Sequence, residues 1–271
     1  MSSSSRPIEA SRPSSMSSCV GERVGTFVMR GGIHRRQVRR APRARRITAF
    51  VLTVHHLESS RSQRVLWLLE ELGVPYEIKL YKRDPKTLLA PPELAKIHPL
   101  GKSPVITDDG ETIAESGAIL EYIADKYGGG KLVPAKGTPA YATHRYFMHY
   151  AEGSLMPFLV MRIVFNRVRV AAPFLVRPIA KAIANNVEKQ FITPNLDKHV
   201  AFLDGALAKS TWLTGDELTL ADIQMSYPLE GIATRVPNAP KRIKDWVERA
   251  KARPAYKAAE AKGGPAMGVE D

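Results

Sequence analysis

Cysteine is almost absent from this chain of 271 residues. The one cysteine, Cys19, comes before every segment with a regular hydrophobic pattern. A disulfide within one chain is therefore impossible, and the patterned part of the sequence has no Cys-x-x-Cys pair for thiol–disulfide exchange. Any thiol chemistry in that part must use the sulfur of a ligand.

Long apolar runs are missing as well. No segment offers the roughly 18 consecutive apolar residues that a transmembrane helix needs. No uninterrupted apolar run precedes the N-terminal arginines, so that region does not have the form of a secretory signal. The sequence therefore predicts neither a membrane span nor secretion.

Acidic residues are scarce mainly at the N-terminus. The net charge is +13, but residues 1–46 hold eleven Arg and no Lys against two acids, Glu9 and Glu22. Those residues carry +9, which leaves +4 for the other 225. The remainder shows no basic patch interleaved with aromatic residues and no zinc-ligand spacing, so we reject a nucleic-acid-binding domain.

Residues 1–46 form a leader rich in serine and arginine. Nine of the first 18 residues are serine, and arginines cluster between Arg35 and Arg46 without strand or helix periodicity. An organelle transit peptide has this composition. A disordered extension can have the same composition. So can untranslated sequence, if translation starts later, for example at Met29. We therefore expect a cytoplasmic protein, or a mitochondrial one if the leader is a transit peptide.

The ordered chain is expected to begin with a β-α-β unit. Ile47–His56 is rich enough in β-branched and aromatic residues for a strand, and Tyr76–Tyr81 alternates as a second strand. Between them, Gly73 ends a helix whose apolar residues have i, i+3, i+4, i+7 spacing. These apolar residues are Val65, Leu68, Leu69 and Leu72. A β-α-β unit favours parallel strands.

A second group of elements completes this half. A short helical piece is predicted at Pro92–Ile97, and Asp108–Glu111 joins two short strands, Val105–Thr107 and Thr112–Ala114, as a hairpin. Ser116–Tyr127 then forms a helix that three glycines stop. The predicted order is β-α-β-α-β-β-α.

The remaining sequence is helical in character. Proline and glycine make Lys131–Pro139 a linker between two domains. The predicted helices are Ala140–Met156 with a continuation or restart beyond Pro157, a segment resuming through Ala184, Val187–Lys209, Leu220–Tyr227, and a last helix around Trp246 that ends before Pro254.

A capping box opens one of these helices. Thr219 and Asp222 have the Thr-x-x-Asp spacing in which each residue bonds the backbone of the other at a helix start. We assign both residues to stability rather than to catalysis.

Residues 153–187 combine positive charge with many large apolar residues. Five cations and no acid occur in this segment. It could wall an apolar pocket, touch an anionic membrane surface, or form two amphipathic core helices with solvated arginines. The cations are Arg162, Arg167, Arg169, Arg177 and Lys181.

The stretch from Pro99 to Ile106 has the form of a peptide-docking edge. A Pro-Leu-Gly turn precedes Ser103, which Pro104 holds extended ahead of an apolar strand. An extended residue there exposes its amide and carbonyl to a peptide-like ligand laid antiparallel. Nearby, Ser116 opens a helix whose free N–H groups suit a carboxylate. The two features together predict a site for a small acidic peptide.

These motifs resemble those of cytosolic glutathione transferases. That family has a Pro-x-Gly-Lys-x-Pro turn, usually with a cis proline, here Pro99–Pro104, followed by Glu115-Ser116 at a helix start. Ser59–Val65 is similar to the family's catalytic loop, most like a serine-type fungal or bacterial branch. The resemblance covers about residues 47–262. It implies an α/β thioredoxin-like N-terminal domain, βαβαββα, followed by an all-α C-terminal helical domain.

The expected domain boundaries follow from that resemblance and from the composition. We expect an Arg/Ser-rich leader at 1–46, a thioredoxin-like glutathione-binding domain at 47–130, a linker at 131–139, an all-helical domain at 140–262 and a tail at 263–271.

The resemblance implies a hydroxyl donor beside the sulfur of bound glutathione. A free thiol has a pKa of about 8.5, and a hydroxyl donor together with a helix N-terminus stabilises the thiolate. Ser60 is the first candidate donor and Ser59 the second. In the alternative interpretation Ser59, Ser60 or Ser62 is only a helix N-cap. We interpret His55 and His56 as structural or solvent-facing.

The same resemblance assigns the peptide contacts. Ser103 would contact the cysteinyl part through its backbone, with Pro104 fixing the geometry. Glu115 and Ser116 would hold the γ-glutamyl ammonium and carboxylate, and Lys102 would lie near the glycyl carboxylate. The alternative makes Glu115 and Ser116 a surface acid and a helix cap, and Lys102 a solvated lysine. No metal site is expected.

The implied function is conjugation of the glutathione thiolate to small apolar electrophiles. Glutathione is then a cosubstrate, with no permanently bound cofactor, and the protein is expected to be a homodimer. Glutathione-dependent peroxide reduction at the same site is an alternative. A non-catalytic glutathione-binding or regulatory protein of the same fold is another.

Overall fold

The computed structural model describes residues 52–267, all of which lie in one compact unit. The predicted leader, including Cys19, lies outside the described residues, as do the first five residues of the predicted first strand. The predicted domain boundaries stay predictions.

A four-stranded mixed sheet forms the first half of the described chain. Its strands lie in the order β2-β1-β3-β4, with β1 parallel to β2 and antiparallel to β3, and β3 antiparallel to β4. The predicted parallel pair and the predicted hairpin are both present. The strands are β1 (Thr53–Leu57), β2 (Glu77–Tyr81), β3 (Val105–Asp108) and β4 (Glu111–Ala114).

Two α-helices and one short turn of helix accompany the sheet. Helix α1 spans Gln63–Leu72, and Gly73 ends it in the left-handed conformation, with φ of 67°, as predicted. Helix α2 spans Ser116–Tyr127, the range predicted from the sequence. The second predicted helix is a single 3₁₀ segment, Pro92–Lys96.

Seven α-helices follow among the described residues. Two π-helical turns, Ala151–Leu155 and Glu188–Ile192, connect α3 to α4 and α5 to α6. The helices are α3 (Pro139–Tyr150), α4 (Met156–Ala171), α5 (Arg177–Val187), α6 (Thr193–Leu207), α7 (Leu220–Arg235), α8 (Lys241–Ala252) and α9 (Pro254–Gly263).

Helix α1 lies at the centre of the core. It contacts α2, α7 and α9, and its residues 65–69 are fully buried. Burying one such large apolar side chain stabilises the fold by about 1.5–3 kcal/mol. Helix α1 therefore fixes the sheet and the helical half in one arrangement.

Two expectations about prolines were wrong, those at Pro228 and Pro254, whereas at Pro157 the structure agrees with the predicted alternative of a continued helix. Pro157 does not break the chain, because it lies in the first turn of α4, where a backbone N–H has no partner to lose. Pro228 lies inside α7, which continues to Arg235 because packing on nearly all sides offsets the missing bond. Pro254 begins α9 instead of marking the end of the helical region.

The capping box is present at the start of α7. The Asp222 carboxylate accepts hydrogen bonds from the Thr219 N–H at 3.0 Å, the Thr219 hydroxyl at 2.9 Å and the Leu213 N–H at 2.8 Å. Burial raises the pKa of Asp222 to about 6, against the opposing effect of these bonds.

Candidate active site

An open cleft of about 690 Å³ lies between the end of β1, the loop after it, and helices α4 and α7. Leu57, Val160 and Tyr227 contribute apolar and aromatic surface to it. Six of the seven predicted site residues line the same cleft: Ser60, Lys102, Ser103, Pro104, Glu115 and Ser116.

The seventh predicted residue, Ser59, is not part of the cleft lining. Its backbone has a positive φ of 49°, and its carbonyl accepts a hydrogen bond from Arg83 Nη2 at 3.1 Å. The geometry therefore favours Ser60 over Ser59 as the residue whose hydroxyl faces a ligand.

A chain of hydrogen bonds runs from Ser60 to the end of α9. Ser60 Oγ lies 2.7 Å from Ser62 Oγ, which lies 2.8 Å from His56 Nδ1. His56 Nε2 lies 2.7 Å from the Gly263 carbonyl oxygen. Ser60 Oγ also lies 2.8 Å from the Leu57 carbonyl oxygen.

The Gly263 carbonyl at the end of this series of hydrogen bonds determines which group donates in each bond. Because the Gly263 oxygen can only accept, His56 Nε2 carries the proton, and in a neutral ring Nδ1 then accepts from the Ser62 hydroxyl. The other acceptor near Ser62, the Leu57 oxygen, is farther away at 3.3 Å. Ser62 has no second proton to give, so the Ser60 hydroxyl donates either to the Leu57 carbonyl oxygen at 2.8 Å or to Ser62 Oγ at 2.7 Å.

Burial keeps His56 in the neutral form that this arrangement needs. The side chain is 1% exposed, and burial lowers the pKa of His56, outweighing the bond to Gly263 and the charge of Glu58. His55 is buried as well, and its Nδ1 lies 2.9 Å from the Tyr81 hydroxyl. The structural interpretation of both histidines is therefore right, and the solvent-facing alternative is wrong.

The loop that carries Ser103 is tied to β1. The Ser103 hydroxyl donates to the His55 carbonyl oxygen at 3.0 Å and accepts from the Leu57 N–H at 3.3 Å. The Ser103–Pro104 peptide bond is cis. The side chain of Ser103 is thus used within the fold, which leaves its backbone as the group that can meet a ligand.

Glu115 and Ser116 have contrasting environments at the start of α2. Glu115 is exposed and has a φ of 72° and a ψ of 122°, a conformation that L-residues rarely adopt and that costs about 1–3 kcal/mol. Ser116 is buried, and its hydroxyl accepts from Arg64 Nη1 at 3.1 Å. Such strain is typical of functional sites, where surrounding structure holds a side chain in place.

A buried arginine joins the two halves of the protein beneath the cleft. Arg64, 1% exposed, donates from Nη1 to Glu152 Oε1 at 2.7 Å and to Gln224 Oε1 at 3.0 Å. Burial lowers the pKa of Arg64, and Glu152 opposes that change. Burial alone would raise the pKa of Glu152, but Arg64 and Arg61 outweigh it and hold that pKa below its usual value.

Arg61 completes this group at the edge of the cleft. Its Nε donates to both carboxylate oxygens of Glu152 at 3.0 Å, and its guanidinium carbon lies 5.1 Å from the centre of the Tyr227 ring. We did not predict Arg61, Arg64, Glu152 or Tyr227 from the sequence. One signal was available: Arg61 and Arg64 stand at the N-terminal end of a helix, where the dipole disfavours cations that lack an acidic partner.

The side chains that usually bind metal ions are not clustered in the described part of the chain. Among residues 52–267, no three His, Cys, Asp or Glu side chains lie close enough together to hold a metal ion. The cleft instead presents a hydroxyl, a helix N-terminus and charges of both signs, which suit an ionised peptide.

Comparison with known proteins agrees with these features. Residues 51–125 match the family model of the glutathione S-transferase N-terminal domain, and residues 166–254 match that of the C-terminal domain. Glutathione S-transferase 3 of Schizosaccharomyces pombe is 35% identical over 216 residues, which cover 78% of this chain and 88% of the relative. Glutathione S-transferase 1 of Saccharomyces cerevisiae is 33% identical over 223 residues, covering 78% and 95%.

A solved structure supports the same conclusion. A glutathione S-transferase from Actinobacillus pleuropneumoniae matches with a TM-score of 0.63 and 29% identity, over 78% of this chain and 92% of that chain. The predicted resemblance and the predicted two-part architecture are thereby confirmed. The chain belongs to the glutathione S-transferase family and is an enzyme of its cytosolic type, in the fungal branch.

Proposed function

We propose that this protein ionises glutathione in the cleft and transfers the thiolate to small apolar electrophiles. The observation that carries the proposal is the position of Ser60, which lines the cleft together with Ser103, Pro104 and the N-terminus of α2. Its proton has the Leu57 carbonyl oxygen as an acceptor at 2.8 Å, and a thiolate in the cleft would compete for it. A bond from a hydroxyl to a charged sulfur is stronger than one to a neutral carbonyl.

The tripeptide would be held by the residues around that hydroxyl. Ser103 would meet the cysteinyl backbone of glutathione, with Pro104 fixing the loop. Glu115 would face the γ-glutamyl ammonium, and the free N–H groups at Ser116 would face the γ-glutamyl carboxylate. Lys102, which is exposed at the cleft edge, would lie near the glycyl carboxylate.

The chemical step needs only the ionised sulfur and an acceptor. With an aryl chloride, the thiolate sulfur forms a bond to the ring carbon, the carbon–chlorine bond breaks and chloride leaves. The thiol proton passes to solvent before the attack. Val160, Tyr227 and Leu57 offer an apolar wall for the acceptor, which supports the preference for apolar electrophiles. The protein contributes positioning and anion stabilisation.

The test is conjugation of glutathione to an activated aryl chloride by the wild type, Ser60→Ala and Ser59→Ala. We expect kcat/KM to fall about a hundredfold in Ser60→Ala, since a hydrogen bond to a charged group contributes about 1.5–3 kcal/mol. Ser59→Ala, the matched control, should stay within about twofold of the wild type, because Ser59 is not part of the cleft lining.

The alternatives give different results in the same experiment. Turnover of an organic hydroperoxide, with no turnover of the aryl chloride, would favour the peroxidase. Retention on immobilised glutathione without turnover of either compound would favour a non-catalytic binder. Full activity in Ser60→Ala would contradict the assigned role of Ser60.

A further inference from the structure

Large apolar side chains are exposed mainly in one part of this protein. We name residues 156–187, which comprise α4, α5 and the loop between them, the helical arm. Eighteen large apolar residues are exposed among the described residues, and ten of them lie in the helical arm. These ten are Val160, Ile163, Val164, Val168, Val170, Phe174, Leu175, Val176, Ile179 and Ile183.

The exposed residues are arranged in a pattern. Val160, which also lines the cleft, has i, i+3, i+4, i+8 spacing with Ile163, Val164 and Val168 on α4, so the four share one helix face. The loop beyond α4 holds the most exposed pair, Phe174 at 80% and Leu175 at 87%. The two helices of the arm bury only Met156, Leu159 and Ala184. The prediction of two core helices was therefore wrong, because α4 and α5 contact each other but leave most apolar residues in solvent.

Positive charge accompanies this apolar surface. No acid occurs between residues 153 and 187. Arg162 and Arg169 pair with Glu188, the first residue after the arm, at 3.1 and 3.6 Å. Arg167 and Lys181 are exposed, and neither forms an ion pair within the part of the chain that the structure describes.

A second copy of the chain fits this surface poorly. In a two-fold interface the same patch meets itself, so the positively charged arm would face an equally positive arm that holds no acid to neutralise it. An anionic partner removes that repulsion. The partner must also accept several apolar side chains at once, which is the combination that an anionic lipid surface offers.

We propose that the helical arm docks on the surface of an anionic lipid bilayer, with Phe174 and Leu175 inserted below the headgroups. Arg167 and Lys181 then lie at headgroup level, where each cation is attracted by acidic lipids. Among residues 52–267 no helix is long and apolar enough to cross a membrane. The contact is therefore peripheral and reversible.

The test is co-sedimentation of the full-length protein with vesicles of phosphatidylcholine and phosphatidylserine in equal parts. We expect the wild type to bind, and to bind less as salt is raised. The double variant Phe174→Ser/Leu175→Ser should lose most of the binding. Arg167→Glu/Lys181→Glu should weaken it at least tenfold, from about fivefold for each cation removed.

Matched controls separate the arm from the rest of the chain. Lys244→Glu/Lys257→Glu changes the net charge equally at exposed residues of α8 and α9 and should leave binding unchanged. Absence of wild-type binding would overturn the proposal. Equal binding by all variants would overturn it too, since it would place the affinity elsewhere, for example in the arginines of residues 1–46. A Phe174→Ser/Leu175→Ser protein that changes its oligomeric state would show that a second copy covers the arm.

Discussion

The buried polar residues beneath the cleft, which we call its floor, differ from the helical arm in how far their side chains find partners within the protein. In the floor, Ser60, Ser62, Arg64 and Ser116 are at most 5% exposed, and each has a hydrogen-bond partner within the fold. In the arm, large apolar residues such as Phe174 stand in solvent. The floor is therefore specified by contacts inside the protein, whereas most apolar side chains of the arm have few such contacts. Substitutions should accordingly have large effects in the floor and small effects on the folding of the arm.

The largest effect on stability is expected from Glu152→Ala. This change leaves the buried Arg64 without its carboxylate at 2.7 Å, and an unpaired buried charge is strongly unfavourable. Because Glu152 is partly exposed, we expect the free energy of unfolding to fall by about 2–3 kcal/mol. Chemical denaturation measures it.

Glu188→Ala is the corresponding change beside the arm. It removes the partner of Arg162 and Arg169, whose side chains are already 18% and 23% exposed and can turn into water. We expect a loss of about 1 kcal/mol or less. If Glu188→Ala cost more than Glu152→Ala, the distinction between the floor and the arm would be wrong.

A pair of glycine substitutions sharpens the comparison next. A Cβ at Gly263 would lie 2.4 Å from Leu66 Cδ1 and 2.9 Å from His56 Nε2. Overpacking a core position costs about 1–3 kcal/mol, so Gly263→Ala should lower the free energy of unfolding by that amount. It should also displace the chain of hydrogen bonds that leads from Gly263 to Ser60. A Cβ at Gly205 in α6 would have no atom within 4 Å, so Gly205→Ala should raise the free energy of unfolding by about 0.5–1 kcal/mol. If both variants shifted the melting temperature in the same direction, the described contact between α9 and β1 would be contradicted.

The smallest expected effect is a dependence of stability on pH. Residues 153–187 contain no Asp, Glu or His, so the floor should respond to mild acid and the arm should not. Burial holds the pKa of His56 below its usual value, so the folded protein keeps this ring neutral while the unfolded chain takes up a proton below about pH 6.5. The stability that is present above that pH is therefore lost as the pH falls.

His56→Gln tests this dependence. Its amide can still donate to Gly263 and accept from Ser62, but it does not titrate. The variant should lose less melting temperature than the wild type between about pH 7 and about pH 5. His144, whose pKa burial lowers to about 4, acts in the same direction in both proteins. Identical slopes for the two proteins would show that His56 is not held neutral.

Local signals in the sequence were sufficient for the first half of the fold. The bounds of α2 and the end of α1 at Gly73 were predicted correctly, because turn residues and glycines mark them within a few positions. The helical half was harder. We predicted that helices end before Pro228 and Pro254. Instead, tertiary packing lets α7 continue through Pro228, and α9 begins at Pro254.

The site shows the same limit. The motif residues from Ser60 to Ser116 were found because each is part of a local pattern, and the structure gathers them in one cleft. Glu152 and Tyr227 could not be found in this way, since they reach the cleft only through the packing of the helical half on α1. The contacts of the motif residues with glutathione stay predictions.

The most direct test of the central claim is the pKa of glutathione bound to the enzyme, followed by thiolate absorbance as the pH is raised. For the wild type and for Ser59→Ala we expect a pKa at least about one unit below the value of about 8.5 for a free thiol. For Ser60→Ala we expect it to return to within a few tenths of that value, since each unit corresponds to about 1.4 kcal/mol of stabilisation. A bound thiol that ionises equally well in Ser60→Ala and in the wild type would contradict the account.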